Sequence, residues 1–368
     1  MKSHFQKLAI AVLFLTSIAV PALAQGDQAS ADAKVMDFLR RTEISGFVDG
    51  YYGYNFNTPS TRKTGAERTF DVQHNSLTLS LAELSLAKTP TADSRGGFRI
   101  DLDYGTTQDI VAANDPHFRN IGQAYLSYYA NVGKGLQIDF GKFVTPNGFE
   151  VIKAKDDWNY SRGLLFTLAI PFYHSGLRAT YNVSDKIALA GYVVNGWNNG
   201  IATIDKKTVI GQITVKPTSA FSVAETYTGG PVPPNTDTWR HLSDTVATFN
   251  VNSKVSLAGN YDYGTDKQSG AVVRWQGVAA YGRLSPNSWF ALTPRWEYYN
   301  DEQGFTSGTA QKMKEFTITS EFKHKDGFLT RLEYRHDYSD TPYFLKNSRF
   351  QDHQDTFTVG LIYAFTTK

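Results

Sequence analysis

From Ile44 to the end of the chain, apolar and polar residues alternate over segments of about ten residues, separated by turn-forming residues. In one segment, Phe98 and Ile100 share one face and Arg99 and Asp101 share the other. A period of two is typical of a β-strand with one apolar and one polar side. The pattern therefore predicts an all-β fold.

Sixteen such segments follow one another without a long interruption. They lie near 44–56, 70–87, 97–107, 118–130, 136–143, 171–183, 187–198, 207–216, 220–229, 241–251, 254–264, 273–284, 288–299, 312–324, 328–338 and 354–365. In the second segment, Leu77, Leu79 and Leu81 share a face, but Leu84 and Leu86 lie on the other. A β-bulge near 82–83 explains that change of phase.

The connections between the segments alternate in length. Short ones lie at 131–135, 184–186, 217–219, 252–253, 285–287 and 325–327, and long ones near 57–69, 108–117, 144–170, 199–206, 230–240, 265–272, 300–311 and 339–353. Outer-membrane barrels have short periplasmic turns and long extracellular loops, and an even strand number returns the chain to the side where it began. We therefore predict a transmembrane, antiparallel up-and-down β-barrel of about 16 strands.

Composition agrees with a barrel. Aromatic residues make up 14% of the chain, and the mean hydropathy of −0.35 is too polar for a bundle of membrane helices. Aromatic residues at strand ends predict girdles at the two membrane interfaces. The candidates are Tyr51, Tyr52, Tyr128, Tyr129, Trp197, Trp275, Trp289, Trp296, Tyr298 and Tyr363.

The N-terminus has the features of a secretory signal peptide. Lys2 and Lys7 form a basic start, residues 8–20 form an apolar run, and an A-x-A cleavage site ends at Ala24. The apolar run is shorter than the roughly 20 residues that a spanning helix needs. We expect export, cleavage after Ala24 and location in the cell outer membrane of a Gram-negative bacterium.

The chain thus divides into a signal peptide (1–24), a short periplasmic lead-in (25–43) with helical character over 31–41, and a barrel (44–368). Without the leader's two lysines, 35 basic residues balance the 35 acidic ones. That balance does not indicate nucleic acid as a partner. The absence of Cys excludes disulfides, thiolate metal sites and cysteine nucleophiles.

Four sequence blocks together resemble the outer-membrane β-barrel porin-2 family of OmpL-like porins. They are Gly46–Tyr52 with Tyr54–Asn57, Gly141–Glu150, Asn159–Phe166 and Pro171–Arg178. The family pattern is Ser-Arg-Ser and His-Thr-Gly where this chain has Ser161-Arg162-Gly163 and His174-Ser175-Gly176. The resemblance spans nearly the whole mature chain and implies a barrel fold and an outer-membrane location.

The last segment, Thr358 to Phe365, resembles the C-terminal recognition strand of outer-membrane barrels. That resemblance implies the barrel-assembly machinery as a partner, in addition to outer-membrane lipid and lipopolysaccharide. By analogy with other sixteen-stranded porins, we expect a homotrimer.

The longest connection, 144–170, follows the fifth segment, which is the position of the loop that narrows the pore in many sixteen-stranded porins. We hypothesise that it lines a constriction that filters solutes by size and charge. The candidate residues are Glu150, Lys153, Asp156, Asp157, Arg162 and Arg178. The alternative is a solvated surface loop held by local hydrogen bonds.

Charged residues on the polar side of the strands form a second candidate group, because a barrel turns that side toward the aqueous lumen. They are Arg99, Asp101, Asp103, Arg295, Glu297, Glu321, Lys323, Arg331, Glu333, Arg335 and Asp337. Such charges can tune selectivity or form a cross-strand ladder that stiffens the wall.

These features predict a porin, a water-filled channel for passive diffusion of small polar solutes or ions. We expect no enzyme activity, no cofactor and no metal, because no catalytic or metal-binding motif appears. The neighbours His336 and Asp337, or Asp352 and His353, would point to opposite sides of an extended strand. The alternatives are a non-conducting barrel that acts as an adhesin or scaffold, a barrel-embedded hydrolase and an exported soluble β protein that binds glycans.

Overall fold

The computed structural model describes residues 25–65, 67–233 and 235–368, so the expected signal peptide lies outside the described residues. Sixteen strands form one closed barrel, and two short strands form a separate hairpin. The barrel strands are β1 (Glu43–Asn55), β2 (Ser76–Lys88), β3 (Gly96–Tyr104), β4 (Ile121–Ala130), β5 (Leu136–Val144), β6 (Tyr173–Ser184), β7 (Ile187–Val194), β8 (Thr208–Val215), β9 (Phe221–Val232), β10 (Asn235–Asn250), β11 (Val255–Gln268), β12 (Ala271–Leu284), β13 (Phe290–Asp301), β14 (Gln311–Lys323), β15 (Phe328–Ser339) and β18 (His353–Thr366). The hairpin is β16 (Phe344–Lys346) with β17 (Arg349–Gln351).

Each barrel strand pairs antiparallel with its neighbours in the chain, and β1 pairs with β18 from Ser45↔Thr366 to Asn55↔Thr356. Closure satisfies the backbone groups that an open sheet would leave unpaired at its edges. The prediction of an up-and-down barrel of 16 strands is confirmed.

The two faces of the wall differ as the alternation predicts. On β14, the side chains of Met313, Glu315 and Thr317 are buried inside, and those of Lys314 and Phe316 are exposed outside. The apolar outer face suits lipid, and the polar inner face is shielded from it.

A bulge in β2 corrects the predicted position. Asp49 pairs with Leu81 and Gly50 pairs with Leu79, so Ser80 is the inserted residue. Ser80 and Leu81 both point inward, which switches the phase between Leu79 and Leu84, both exposed outside. The bulge therefore precedes the predicted position, 82–83.

Six of the predicted long outer connections are present, at 56–75, 105–120, 145–172, 195–207, 302–310 and 340–352. The predictions of loops at 230–240 and 265–272 were wrong, because the strands continue through most of those residues. Between β11 and β12, Ser269 (φ 50°) and Gly270 (φ 85°) form a tight turn. Two successive positive φ angles match the twist of paired strands, so the hairpin can extend to its tip.

Short helical segments complete the fold. The α-helices are α1 (Gln25–Arg41) and α2 (Thr106–Val111), and single turns lie at Pro116–Phe118, Ala154–Asp156, Leu165–Ala169 and Lys325–Gly327. Helix α1 is longer than the helical stretch expected at 31–41. Among the described helices, none has the length and apolar character to cross a membrane.

The predicted girdle is partly corrected. Tyr52, Tyr128, Trp296, Tyr298 and Tyr363 lie on the outward face. Trp289 is exposed in the turn that precedes β13. In contrast, Tyr51 and Trp275 are buried inside the barrel, and Trp197 lies in an outer connection. Tyr129 has the inward phase of β4. The sequence pattern shows which side chains share a face of a strand. It does not show which inward-facing rings are buried by the loops inside the barrel.

We expect Leu361→Arg to destabilise the folded barrel by about 2–4 kcal/mol, because it places a cation on the lipid face. His353→Arg is the control on the same face of β18 at its outer end, where a cation costs about 0–1 kcal/mol. Folding in phospholipid vesicles, titrated with urea and followed by tryptophan fluorescence, measures both. Equal costs for the two variants would contradict the assigned outer face.

Candidate functional site

The outer connection 145–172, called the inner loop below, is bound to the inward face of the barrel wall. Arg331 on β15 donates hydrogen bonds to the carbonyl oxygens of Ala154 (2.5 Å), Asp157 (2.5 Å) and Asn159 (3.0 Å). Its guanidinium also lies 2.7 Å from the Glu321 carboxylate. A buried arginine is stable when its donors are used in this way.

Arg295 on β13 is a second anchor. Its guanidinium binds the Glu150 carboxylate and the Ser161 carbonyl oxygen of the inner loop, each at 2.6 Å. It also binds Glu315 on β14 at 2.8 Å. Arg295 therefore ties the inner loop to two neighbouring strands.

Arg335 on β15 is the third anchor. It donates to the carbonyl oxygen of Arg162 at 2.6 Å and pairs with Asp337 at 2.7 Å. Because a carbonyl acceptor carries no charge, the neighbouring carboxylate balances the buried cation.

Carboxylates of the wall accept hydrogen bonds from the inner loop. Glu333 accepts from the backbone N–H groups of Tyr160 (2.6 Å) and Ser161 (3.0 Å). Glu297 accepts from the backbone N–H groups of Leu164 and Leu165. The carbonyl oxygens of the loop backbone thus accept hydrogen bonds from wall arginines, and its N–H groups donate to wall carboxylates.

The tip of the inner loop reaches the seam where β1 meets β18. The Tyr160 hydroxyl donates to Asp49 of β1 at 2.9 Å, and its ring centroid lies 5.9 Å from that of Tyr51. A Cβ atom at Gly360 of β18 would collide with the Tyr160 ring. Glycine is therefore required at 360 by close approach.

Arg162 was predicted to be a constriction cation, but it lies within the inner loop and is almost fully buried. It pairs with Asp157 at 3.2 Å, donates to the Val151 carbonyl oxygen at 3.0 Å and lies 4.9 Å from the Phe70 ring. Glu150 and Asp157 are buried with it. These three charges stabilise the loop's fold and are shielded from water.

The other three predicted constriction residues are accessible to water. Lys153 reaches across to Glu83 (2.7 Å) and Asp101 (3.0 Å). Asp156 is exposed and pairs with its neighbour Lys155. These contacts place charged side chains of the inner loop near β2 and β3.

Arg178 lies on the wall at β6 and not in the inner loop. It pairs with Asp139 at 2.7 Å, and its guanidinium lies 5.1 Å from the Tyr125 ring and 4.8 Å from the Phe143 ring. The structure therefore does not bring Arg178 together with the loop charges in one cluster.

The predicted lumen charges follow the inward phase of their strands. Arg99 pairs with Asp101 at 2.9 Å, and Lys323 lies 3.9 Å from Glu321. Asp103 is buried, and its Oδ1 atom has no hydrogen-bond partner among the described residues. Most of the group anchors the inner loop or pairs across strands.

A large apolar cluster, called the lumenal core below, joins the inner loop and two other outer connections to β10–β14 and to the first residue of β6. Its buried members are Phe70, Val111, Leu164, Leu165, Phe166, Ala169, Ile170, Tyr173, Leu242, Ala258, Trp275, Ala279, Tyr281, Tyr299 and Met313. The Trp275 indole N–H donates to the Ala169 carbonyl oxygen at 3.2 Å. Packed apolar side chains exclude water, so this part of the lumen is filled by protein.

The connection 56–75 contributes a buried carboxyl group. Burial, together with the nearby Asp337 carboxylate, raises the pKa of Glu67 from 4.5 to about 7. A raised pKa favours the neutral form in the folded state. The protonated Glu67 side chain therefore contributes to the stability of the folded protein. This contribution is fully present below the usual carboxyl pKa and is lost as the pH rises through about 7. This connection is therefore held more firmly at acidic pH.

The sequence did not identify several carboxylates that pair with the candidate residues, namely Asp139, Glu83 and Glu315. Asp139 lies between Ile138 and Phe140 in a predicted strand, so the alternation alone could have found it. Glu83 could not be assigned to a face until the bulge was located at Ser80. Glu315 follows a polar run in which the alternation is weak.

The two adjacent His–Asp pairs behave differently. His336 faces outward and pairs with Asp355 at 2.8 Å, while Asp337 faces inward. The expectation for the other pair was wrong, because Asp352 lies in a bend and its carboxylate meets His353 at 2.7 Å. Within the described residues, no group of three potential ligands could hold a metal ion.

Comparison with known proteins agrees with this architecture. A model of the beta-barrel porin-2, OmpL-like family matches residues 41–365. The anion-selective porin from Comamonas acidovorans is similar with a TM-score of 0.62 and 11% identity, over 88% of this chain and 99% of that chain. The outer membrane channel DcaP of Acinetobacter baumannii has a TM-score of 0.59 and 14% identity, over 88% and 97%.

The trimer form of in-vitro folded OmpT, an outer membrane protein of Vibrio cholerae, has a TM-score of 0.61 and 12% identity, over 88% and 99%. At sequence identities this low, the similarity to these structures shows a shared fold and nothing more. Comparison with curated proteins found no match.

We expect Arg331→Gln to release the inner loop, because it removes a buried charge with several acceptors. The cost of breaking a buried pair is about 3–5 kcal/mol. Trypsin should then cut the folded protein after Lys153 and Lys155, and mass spectrometry measures the fragments. Arg349→Gln, an exposed change in β17, is the control. Equal protection in both variants would show that Arg331 does not hold the loop.

Proposed function

Because the chain belongs to the beta-barrel porin-2, OmpL-like family of outer-membrane porins, we propose that it forms a channel for passive diffusion of small polar solutes. The observation that carries this proposal is a closed barrel whose polar inner face holds a long loop across the lumen. A sixteen-stranded barrel has room for an aqueous channel beside such a loop.

We further propose that the inner loop narrows the channel. Its charges take two roles, which differ from the uniform role expected from sequence. Glu150, Asp157 and Arg162 hold the loop in shape, whereas Lys153 and Asp156 contact the solution. Arg178 lines the channel from the wall. A narrow passage selects solutes because an ion there loses part of its hydration.

The lumenal core favours one alternative, a non-conducting barrel that acts as an adhesin or scaffold. The core fills the lumen beside β10–β14 and leaves less room for solute than an open barrel would. A barrel-embedded hydrolase is disfavoured by membership of a porin family. The His353–Asp352 pair lies at the outer face of the barrel and away from the lumen.

Assembly and partners are part of the same proposal. We propose that the Thr358–Phe365 strand is recognised by the barrel-assembly machinery, and that lipid and lipopolysaccharide surround the outer face. One similar structure is a trimer form, which supports a homotrimer for this chain as well.

Planar-bilayer recording of the refolded protein tests channel function. We expect stepwise, stable openings, with a larger conductance per opening in Arg331→Gln because its inner loop is released. Heat-unfolded protein in the same detergent is the control. Membrane insertion without conductance in either protein would reject the channel and favour the non-conducting barrel.

We also propose that export removes residues 1–24, so that the mature protein begins at Gln25. Intact-mass measurement of protein from purified outer membranes checks this. Ala24→Lys should block cleavage, because the site requires a small residue, and should retain the leader. A wild-type mass that includes the leader would contradict the proposal.

A further inference from the structure

Apart from the fully buried anchors of the inner loop, several ion pairs on the inward face of the barrel share one orientation, in which the cation is more exposed to water than its carboxylate partner. The Arg99 side chain is 31% exposed and that of its partner Asp101 is 0% exposed. Arg178 is 18% exposed against 0% for Asp139. These side chains project from β3 and β6, which are separated by two strands, and the two pairs share no residue.

The same orientation occurs at the periplasmic end of β12 and β14. Arg283 is 15% exposed and lies 2.5 Å from Glu321, which is 3% exposed. Glu321 also lies 2.7 Å from Arg331 and 3.9 Å from Lys323. One buried carboxylate thus faces three cations, and this cluster has a net positive charge.

A cavity of about 530 Å³ opens beside the seam at the periplasmic end. Arg99, Lys153 and Lys155 line it, and its acidic lining residues include Glu83, which is buried, and Asp156, which pairs with Lys155. Glu43 and the last residue, Lys368, lie at its rim. In this cavity Arg99 and Lys153 are more exposed than the Glu83 carboxylate, whereas the Lys155–Asp156 pair has the opposite order, with Asp156 the more exposed partner.

The outer mouth repeats the arrangement. Arg240 is 17% exposed and pairs at 2.7 Å with Asp266, which is 3% exposed. Its guanidinium lies 5.0 Å from the rings of both Trp197 and Phe305. On the outer side of the lumen as well, the cation of the ion pair is therefore more exposed to water than the carboxylate.

Coulomb energy falls with distance and with the surrounding dielectric, so the nearer charge of each pair dominates the field at the solute. Low-dielectric walls concentrate that field within the lumen. From these exposures we propose that the channel is selective for small anions, with Arg99, Lys153, Arg178 and Arg283 as the cations that attract them. This inference rests on the proposed function, since it requires that the barrel conducts.

The test is the reversal potential of the refolded protein in a planar bilayer under a KCl gradient. The wild type should pass Cl⁻ in preference to K⁺. Its selectivity should weaken at about 1 M salt, where the Debye length is about 3 Å. The combined variant Arg99→Gln, Arg178→Gln and Arg283→Gln should lower the Cl⁻/K⁺ permeability ratio by roughly threefold or more.

Lys314→Gln is the matched control, because it removes one positive charge from the outward face of β14. It should leave the ratio unchanged, and circular dichroism should show that each variant is folded. If removal of three charges at once prevents folding, the single change Arg283→Gln gives the same test with a smaller shift.

Each outcome is decisive. Stable conductance that prefers K⁺, or a ratio that the arginine variants leave unchanged, would overturn the anion inference and keep the channel. Insertion without conductance would overturn the proposed function, and the inference with it. A Cl⁻ preference that falls in the arginine variants and not in Lys314→Gln supports both.

Discussion

The interior of this barrel depends on buried guanidinium groups that face the lumen from β13 and β15. Arg295, Arg331 and Arg335 each bind a wall carboxylate and at least one backbone carbonyl oxygen of the inner loop. A buried cation is stable when its charge and most of its donors are matched, and among the described residues only Nη2 of Arg335 lacks a hydrogen-bond partner in this set of three. The loop therefore completes the wall's hydrogen bonding, and the wall fixes the loop's conformation. Without the loop, the wall arginines would lose hydrogen-bond acceptors, and without these arginines the loop would lose its attachment to the wall.

This constraint separates the charges of the lumen into two classes. Fully buried groups such as Arg331 and Glu333 have all their interactions with protein and position the loop. Partly exposed cations such as Arg178 and Arg283 have buried partners and face the remaining water. Both classes appear identical in sequence, because each consists of charged residues at alternate positions of a strand. The two classes are distinguished only in the folded structure, by how deeply the cation and its carboxylate partner are buried.

Much of the fold was predictable because a membrane barrel imposes a strict period and an even strand number. The alternation located the strands, and it failed where polar residues occupy both faces, as from Thr265 to Gln268 in β11. The length and position of the inner loop identified it as the candidate site. The alternation could not show that Arg162 turns back into its own loop, since that depends on contacts with Val151 and Phe70.

The position of Tyr160 at the seam has a consequence for closure of the barrel. Its hydroxyl bonds to Asp49 on the first strand, and its ring occupies the space left by Gly360 on the last. The two strands are far apart in sequence and meet only when the cylinder closes. A loop from the middle of the chain therefore contacts both strands of the seam in the folded barrel. Closure of the cylinder and packing of its interior thus share contacts at the seam, and a change at Tyr160 or Gly360 affects both.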